Sequence, residues 1–140
     1  MKIAYCSDTY IDFYVAVSNP QKLKKLIDKM LKPKEAPADA VVIAGGIGHY
    51  VSQNIAFLQE LKEHYRDVVV VTGNPDLYLV STEQGRKYQW NSFEKLNSFK
   101  KLCVSSGIHC LDGASIEIQG VTIGGLPMWY YVSNPNEWLS

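Results

Sequence analysis

The chain has 140 residues, enough for one domain with its own core and too few for two. Lys plus Arg and Asp plus Glu both number 14, so the formal net charge is zero and nothing electrostatic favours a nucleic-acid or membrane partner. Cys6, Cys103 and Cys110 are odd in number and form no CxxC pair, which argues against both a disulfide framework and a zinc signature. No apolar stretch is long enough to span a bilayer, and the first residues lack the basic and apolar regions of a secretory leader. A cytoplasmic location is the expectation.

In chain order, Lys2 to Cys6 reads as a short buried strand ending in Ser7-Asp8-Thr9. Leu23, Leu26, Ile27, Met30 and Leu31 recur at helical spacing between Pro20 and Pro33, which punctuate that helix at both ends. Its lysines (Lys22, Lys24, Lys25, Lys29, with Lys32 and Lys34 beyond) read as one solvated face. Ala40 to Ala44 is a second apolar run stopped by Gly45-Gly46. A helix marked by Ile55, Leu58 and Leu61 follows, running to about His64.

Val68 to Val71 is a third strand, stopped by Thr72-Gly73-Asn74-Pro75. From Gln89 to Val104, the positions Phe93, Leu96, Phe99, Lys100 and Cys103 suit an amphipathic helix ending at Gly107, and Ile108 to Leu111 is a short fourth strand. Ser115 to Ile123 alternates on both sides of Gln119-Gly120, a hairpin signal. Apolar strands alternating with helices predict βαβ units and a mainly parallel, covered sheet. Residues 126–140 form an aromatic tail with Trp129, Tyr130, Tyr131 and Trp138, expected either to cap the sheet or to make an interface.

Ligands of a parallel α/β sheet gather at the carboxyl ends of its strands. Three such ends carry Ser7-Asp8-Thr9-Tyr10-Ile11-Asp12, Gly45-Gly46-Ile47-Gly48-His49 and Gly73-Asn74-Pro75-Asp76. Taken in order, these blocks resemble the calcineurin-like metallophosphoesterases, with their Asp-x-His, Gly-Asp and Gly-Asn-His-(Asp/Glu) blocks. The resemblance implies the N-terminal half of a four-layer α/β/β/α sandwich, with residues 1–125 as core. It also implies a parent activity of phosphoester hydrolysis on two divalent metals such as Mn, Fe or Zn.

Carried over residue by residue, the resemblance implies a dismantled site. Asp8 matches the first-block aspartate and Asn74 the third-block asparagine, the weak remaining metal candidates. Asp76 matches the closing acidic residue. Tyr10, however, stands where the family has a histidine ligand, Gly46 where it has the bridging aspartate, and Pro75 where it has the acid-supplying histidine. A neutral phenol is a poor stand-in for imidazole, glycine brings no ligand, and proline has no proton to give. The Gly-His-x-His block that the family draws from its C-terminal segments is missing as well.

No catalytic residue, metal or cofactor is therefore expected. The remnant site is Asp8, Asp12, His49, Asn74 and Asp76. Within it Asp12 and Asp76 read as loop-solvating or capping residues, and His49 as a structural or solvent-exposed loop histidine. His64 is placed to meet a helix dipole, and His109 reads as packed inside its strand. Gly45-Gly46-Ile47-Gly48 lacks the Lys-Ser/Thr of a P-loop, so nucleotide binding gains no support.

The expected function is a pseudoenzyme that binds a protein or a phosphorylated ligand, in the manner of a phage-like regulator. A protein partner or a second copy would use the surface left by the missing half. The alternatives are a phosphoesterase completed by another chain, and a fragment of an active one.

Overall fold

The computed structural model describes residues 1–16 and 19–127. Four parallel strands, β1 (Ile3–Cys6), β2 (Ala40–Ala44), β3 (Asp67–Val71) and β4 (His109–Leu111), form one sheet in sequence order. The pairing is regular: Ile3 faces Ala40, Ala40 faces Asp67, and Val69 faces His109. Each strand is a short apolar run, as a parallel strand covered on at least one face requires.

The helices that connect the strands are α1 (Ile11–Tyr14), α2 (Pro20–Met30), α3 (Val51–Lys62), α4 (Asn74–Leu77), α5 (Thr82–Lys87) and α6 (Ser92–Ser105). Pro20 sits in the first turn of α2, and the Asn19 side chain caps it by accepting from the Lys22 amide at 3.1 Å. Leu23 and Ile27 are the buried face of α2, and its lysines stay exposed. Together the helices seal one face of the sheet. Ala4, Cys6, Val41, Ile43, Val68, Val70 and Cys110 pack there with Phe57, Leu58, Leu61 and Phe99 in the main core. The three cysteines are free thiols.

The opposite face receives a hairpin of β5 (Ala114–Ile118) and β6 (Val121–Gly125). Gln119 (φ 50) and Gly120 (φ 75) both turn left-handed, as a two-residue hairpin loop demands. The hairpin packs Ile118, with Ile116 and Ile123, onto Val69 and Leu111. On β1, Ile3 is 39% and Tyr5 81% exposed, so this half of the face is bare among the described residues.

The structure adds the short helices α1, α4 and α5, which were not predicted, and differs from the predicted elements elsewhere. The helix expected from Gln89 starts at Ser92, because Gln89 (φ 53) and Trp90 (φ 56) are left-handed and Asn91 caps the Phe93 amide at 2.9 Å. Its buried face is Lys95, Phe99 and Cys103, and Phe93 is 73% exposed. His109 is not packed inside its strand: its side chain is 36% exposed, with Nε2 3.7 Å from Asp67 Oδ1. His64 follows the last turn of α3, 3.9 Å from Glu60. Of the aromatic tail, residues 128–140 lie outside the described residues. No helix among the described residues is long and apolar enough to cross a membrane.

Candidate functional site

The carboxyl ends of β1, β2 and β3 bring the three blocks into direct backbone contact. The Asp8 amide donates to the Gly45 carbonyl at 3.0 Å, Tyr10 to Gly46 at 3.0 Å and Ile11 to Ile47 at 2.8 Å. Thr9, buried, adds its hydroxyl to the Ile47 carbonyl at 3.2 Å. This zipper forces Asp8 (φ 51) and Tyr10 (φ 40) into the left-handed region, which costs a non-glycine residue about 1–2 kcal/mol.

Glycines make the approach possible. A Cβ on Gly46 would lie 2.7 Å from Asp8 Oδ1 and 2.8 Å from Asp8 Cα, and its φ is +66°. A Cβ on Gly73 would lie 2.8 Å from the Gly46 amide nitrogen. The second and third blocks thus touch at van der Waals distance where side chains would otherwise meet.

At the centre of these loops sits Asp76, on α4. Its carboxylate accepts from four backbone amides: Gly73 (2.7 Å), Ile47 (2.9 Å), Gly46 (3.1 Å) and Gly48 (3.2 Å). Asp76 is 6% exposed, so it is neither loop-solvating nor merely a helix cap; it is the clamp that joins block two to block three. Burial pushes its carboxyl above the usual carboxylate range, and the four amides pull it back. The Gly45-Gly46-Ile47-Gly48 loop is therefore an anion cradle, filled by the chain's own side chain.

A second cluster surrounds His49. Its Nδ1 lies 2.7 Å from Asp12 Oδ2, and the two side chains are 15% and 8% exposed, so Asp12 is not a solvated loop residue and His49 has a defined partner. Asp12 Oδ1 is buried with no hydrogen-bond partner among the described residues. The rings of Tyr10, Phe13 and Tyr78 stand 6.3, 5.9 and 6.4 Å from the imidazole centroid, and Tyr10 stacks on Phe13 at 5.7 Å. Phe13 is 71% and Tyr78 51% exposed.

Lys95 holds this cluster from behind. It is fully buried on α6, and its Nζ donates to the carbonyls of His49 (2.8 Å) and Tyr78 (2.6 Å). Burial lowers its pKa to about 8, against the opposing pull of the Asp76 and Asp12 carboxylates. Sequence reasoning missed Lys95; its place four residues before Phe99 and eight before Cys103, on the buried stripe of α6, was the available signal.

The remaining expected positions are dispersed. Asn74 is exposed at the start of α4, Pro75 is buried, and Asp8 is exposed with no side-chain hydrogen bond among the described residues. The residues present do not fit a two-metal centre. Gly46 has neither a carboxylate nor room for one, Asp76 is saturated by amides, and Tyr10 carries its ring onto Phe13. Among the described residues no three His, Cys, Asp or Glu side chains gather to hold an ion.

A family model described as calcineurin-like phosphoesterase matches residues 1–140. No curated protein matches the chain. Among solved structures it is similar to the phosphopantetheinyl hydrolase PptH from Mycobacterium tuberculosis, at 17% identity and a TM-score of 0.56. That likeness is one of fold. It covers 91% of this chain and 42% of the other, so the chain spans less than half the length of that protein.

Proposed function

The chain belongs to the calcineurin-like phosphoesterase family, a family of metal-dependent phosphoesterases, and we propose that within it this chain binds and does not hydrolyse. The observation that carries the reading is the contact between Gly46 and Asp8. The residue at the bridging-ligand position has no side chain, and a Cβ there would collide with the backbone of the neighbouring block. Pro75 and Tyr10 remove the proton donor and an imidazole ligand from the same site. Of the two kinds of ligand, a protein is favoured over a phosphorylated one, because the loops that carry Asp8, Asn74 and the His49–Asp12 pair, residues 7–16, 44–50 and 72–81, hold no lysine or arginine to meet a phosphate. No metal or other cofactor is needed for that role.

The half of the sheet that is bare among the described residues, with Tyr5 on β1, supports a protein partner or a second copy on the face opposite the helices. Light scattering checks for self-association, and a monomer at high concentration favours the aromatic tail, residues 126–140, as the cap. The reading as a whole is tested with a chromogenic phosphodiester, bis(p-nitrophenyl) phosphate, assayed with Mn, Fe, Ni or Zn added in turn. No metal-dependent turnover is expected. Turnover that an Asp8→Ala variant abolishes would overturn the reading.

A further inference from the structure

Two of the three free thiols meet where α6 hands the chain over to β4. Ser106 ends the helix, and the turn that follows sends β4 back against it. The Gly107 amide donates to the Val104 carbonyl at 3.1 Å and the Ile108 amide to the Cys103 carbonyl at 2.9 Å, with Gly107 left-handed at φ 64. The Lys62 ammonium pins this turn by donating to the Ser106 and Gly107 carbonyls, both at 3.0 Å.

From Ile108 onward side chains alternate between the two faces of the sheet. Leu111 packs toward the hairpin, whereas Ile108 and Cys110 pack into the main core, which also holds Cys103. Cys103 is fully buried on the inner stripe of α6, Cys110 is half-buried, and the two thiols are hydrogen-bonded to each other. Lys100, one turn before Cys103, pairs with Asp112, two residues after Cys110. Cys6 is remote from them on β1, with two strands between it and β4.

We propose that Cys103 and Cys110 form a reversible disulfide when the chain meets hydrogen peroxide, with Cys110 attacking and Cys103 resolving. The Cys110 sulfur attacks one peroxide oxygen and the O–O bond breaks. A sulfenic acid forms, and the other oxygen leaves as water with the Cys110 proton. The Cys103 sulfur then attacks the sulfenic sulfur, the S–S bond forms, and the hydroxyl leaves as a second water with the Cys103 proton. The two sulfurs together give up the two electrons that reduce the peroxide.

The roles follow from the surroundings of each thiol. The hydrogen bond from Cys103 lowers the pKa of Cys110 against its burial, and the Lys100 charge assists. The same hydrogen bond, together with full burial, keeps Cys103 protonated. The bond fastens α6, which carries Lys95, to β4, and it forms whatever the site binds.

The test treats the full chain with a small excess of hydrogen peroxide, alkylates it with iodoacetamide in denaturant and reads the intact mass. Untreated protein takes three alkyl groups, one per free cysteine. Treated protein is expected to take one, at Cys6, whose thiol burial pushes up to about 11, and to regain all three after dithiothreitol. Leu102 to Ser140 contains no lysine or arginine, so both partners fall in one tryptic peptide, expected two hydrogens lighter and unalkylated. Cys103→Ala should stop at the sulfenic acid, trapped by dimedone on Cys110. In glutathione buffer the equilibrium constant for the disulfide should be at least tenfold higher for the folded chain than in urea.

Three alkyl groups after peroxide, or a disulfide that involves Cys6 or joins two chains, overturns the proposal. So do a dimedone adduct at Cys6 in place of Cys110 and equal constants with and without urea. The mass and glutathione measurements use the unaltered chain, so they decide the matter even if Cys103→Ala fails to fold.

Discussion

Gly46 and Asp8 stand so close that a β-carbon on the glycine would lie 2.8 Å from the Asp8 α-carbon. The two blocks are zipped together through their backbones, and no room is left for a side chain at Gly46. Returning the missing carboxylate is therefore predicted to damage the protein. Gly46→Asp drives a β-carbon and a second carboxylate against Asp8 at φ +66°, and a loss of about 3 kcal/mol is expected in urea denaturation. Tyr10→His, which adds no β-carbon, should cost much less.

Asp76→Asn removes one oxygen acceptor and turns an amide NH2 toward backbone donors. Each buried donor left without a partner costs about 1–3 kcal/mol, so the variant should lose about 3 kcal/mol or more. Chemical denaturation checks this, and amide exchange at Gly46 to Gly48 and Gly73 should rise in the variant. A variant as stable as the parent would show that the clamp contributes nothing.

Lys95 gives a pH dependence of defined sign. Its folded pKa, about 8, lies below the ordinary lysine value of 10.5, so between these values the unfolded chain holds a proton that the folded chain has released. Stability from this group therefore rises with pH across the window, by at most about 1.4 kcal/mol per unit. Above pH 9 the Cys6 thiol, pushed up to about 11 by burial, acts in the opposite sense, so the window to read is pH 8 to 9. Lys95→Met should abolish that rise in denaturation curves. At neutral pH it should also lose about 3 kcal/mol, since two carbonyls and two carboxylates lose their cation.

The sheet and the hairpin were legible because their signals are local. Ala40 to Ala44 reads as a buried strand on its own, and Gln119-Gly120 names its turn. The short helices α1, α4 and α5 were not legible, since four to six residues carry no period to detect. Block positions could be read at Asp8, Gly46, Asn74 and Asp76, but not what they do. The Asp12–His49 pair joins residues 37 apart in sequence, and the burial of Asp76 depends on backbones that meet only when three loops converge. Lys95 looked like any solvated lysine, because only the fold places the His49 and Tyr78 carbonyls within its reach.

Metal stoichiometry tests the central claim most directly. The chain, equilibrated with excess Mn, Fe, Ni or Zn and then passed through gel filtration, is expected to carry well under one ion per chain by elemental mass spectrometry. Two ions per chain, lost together in an Asp8→Ala variant, would show that the site described as closed still holds a binuclear centre.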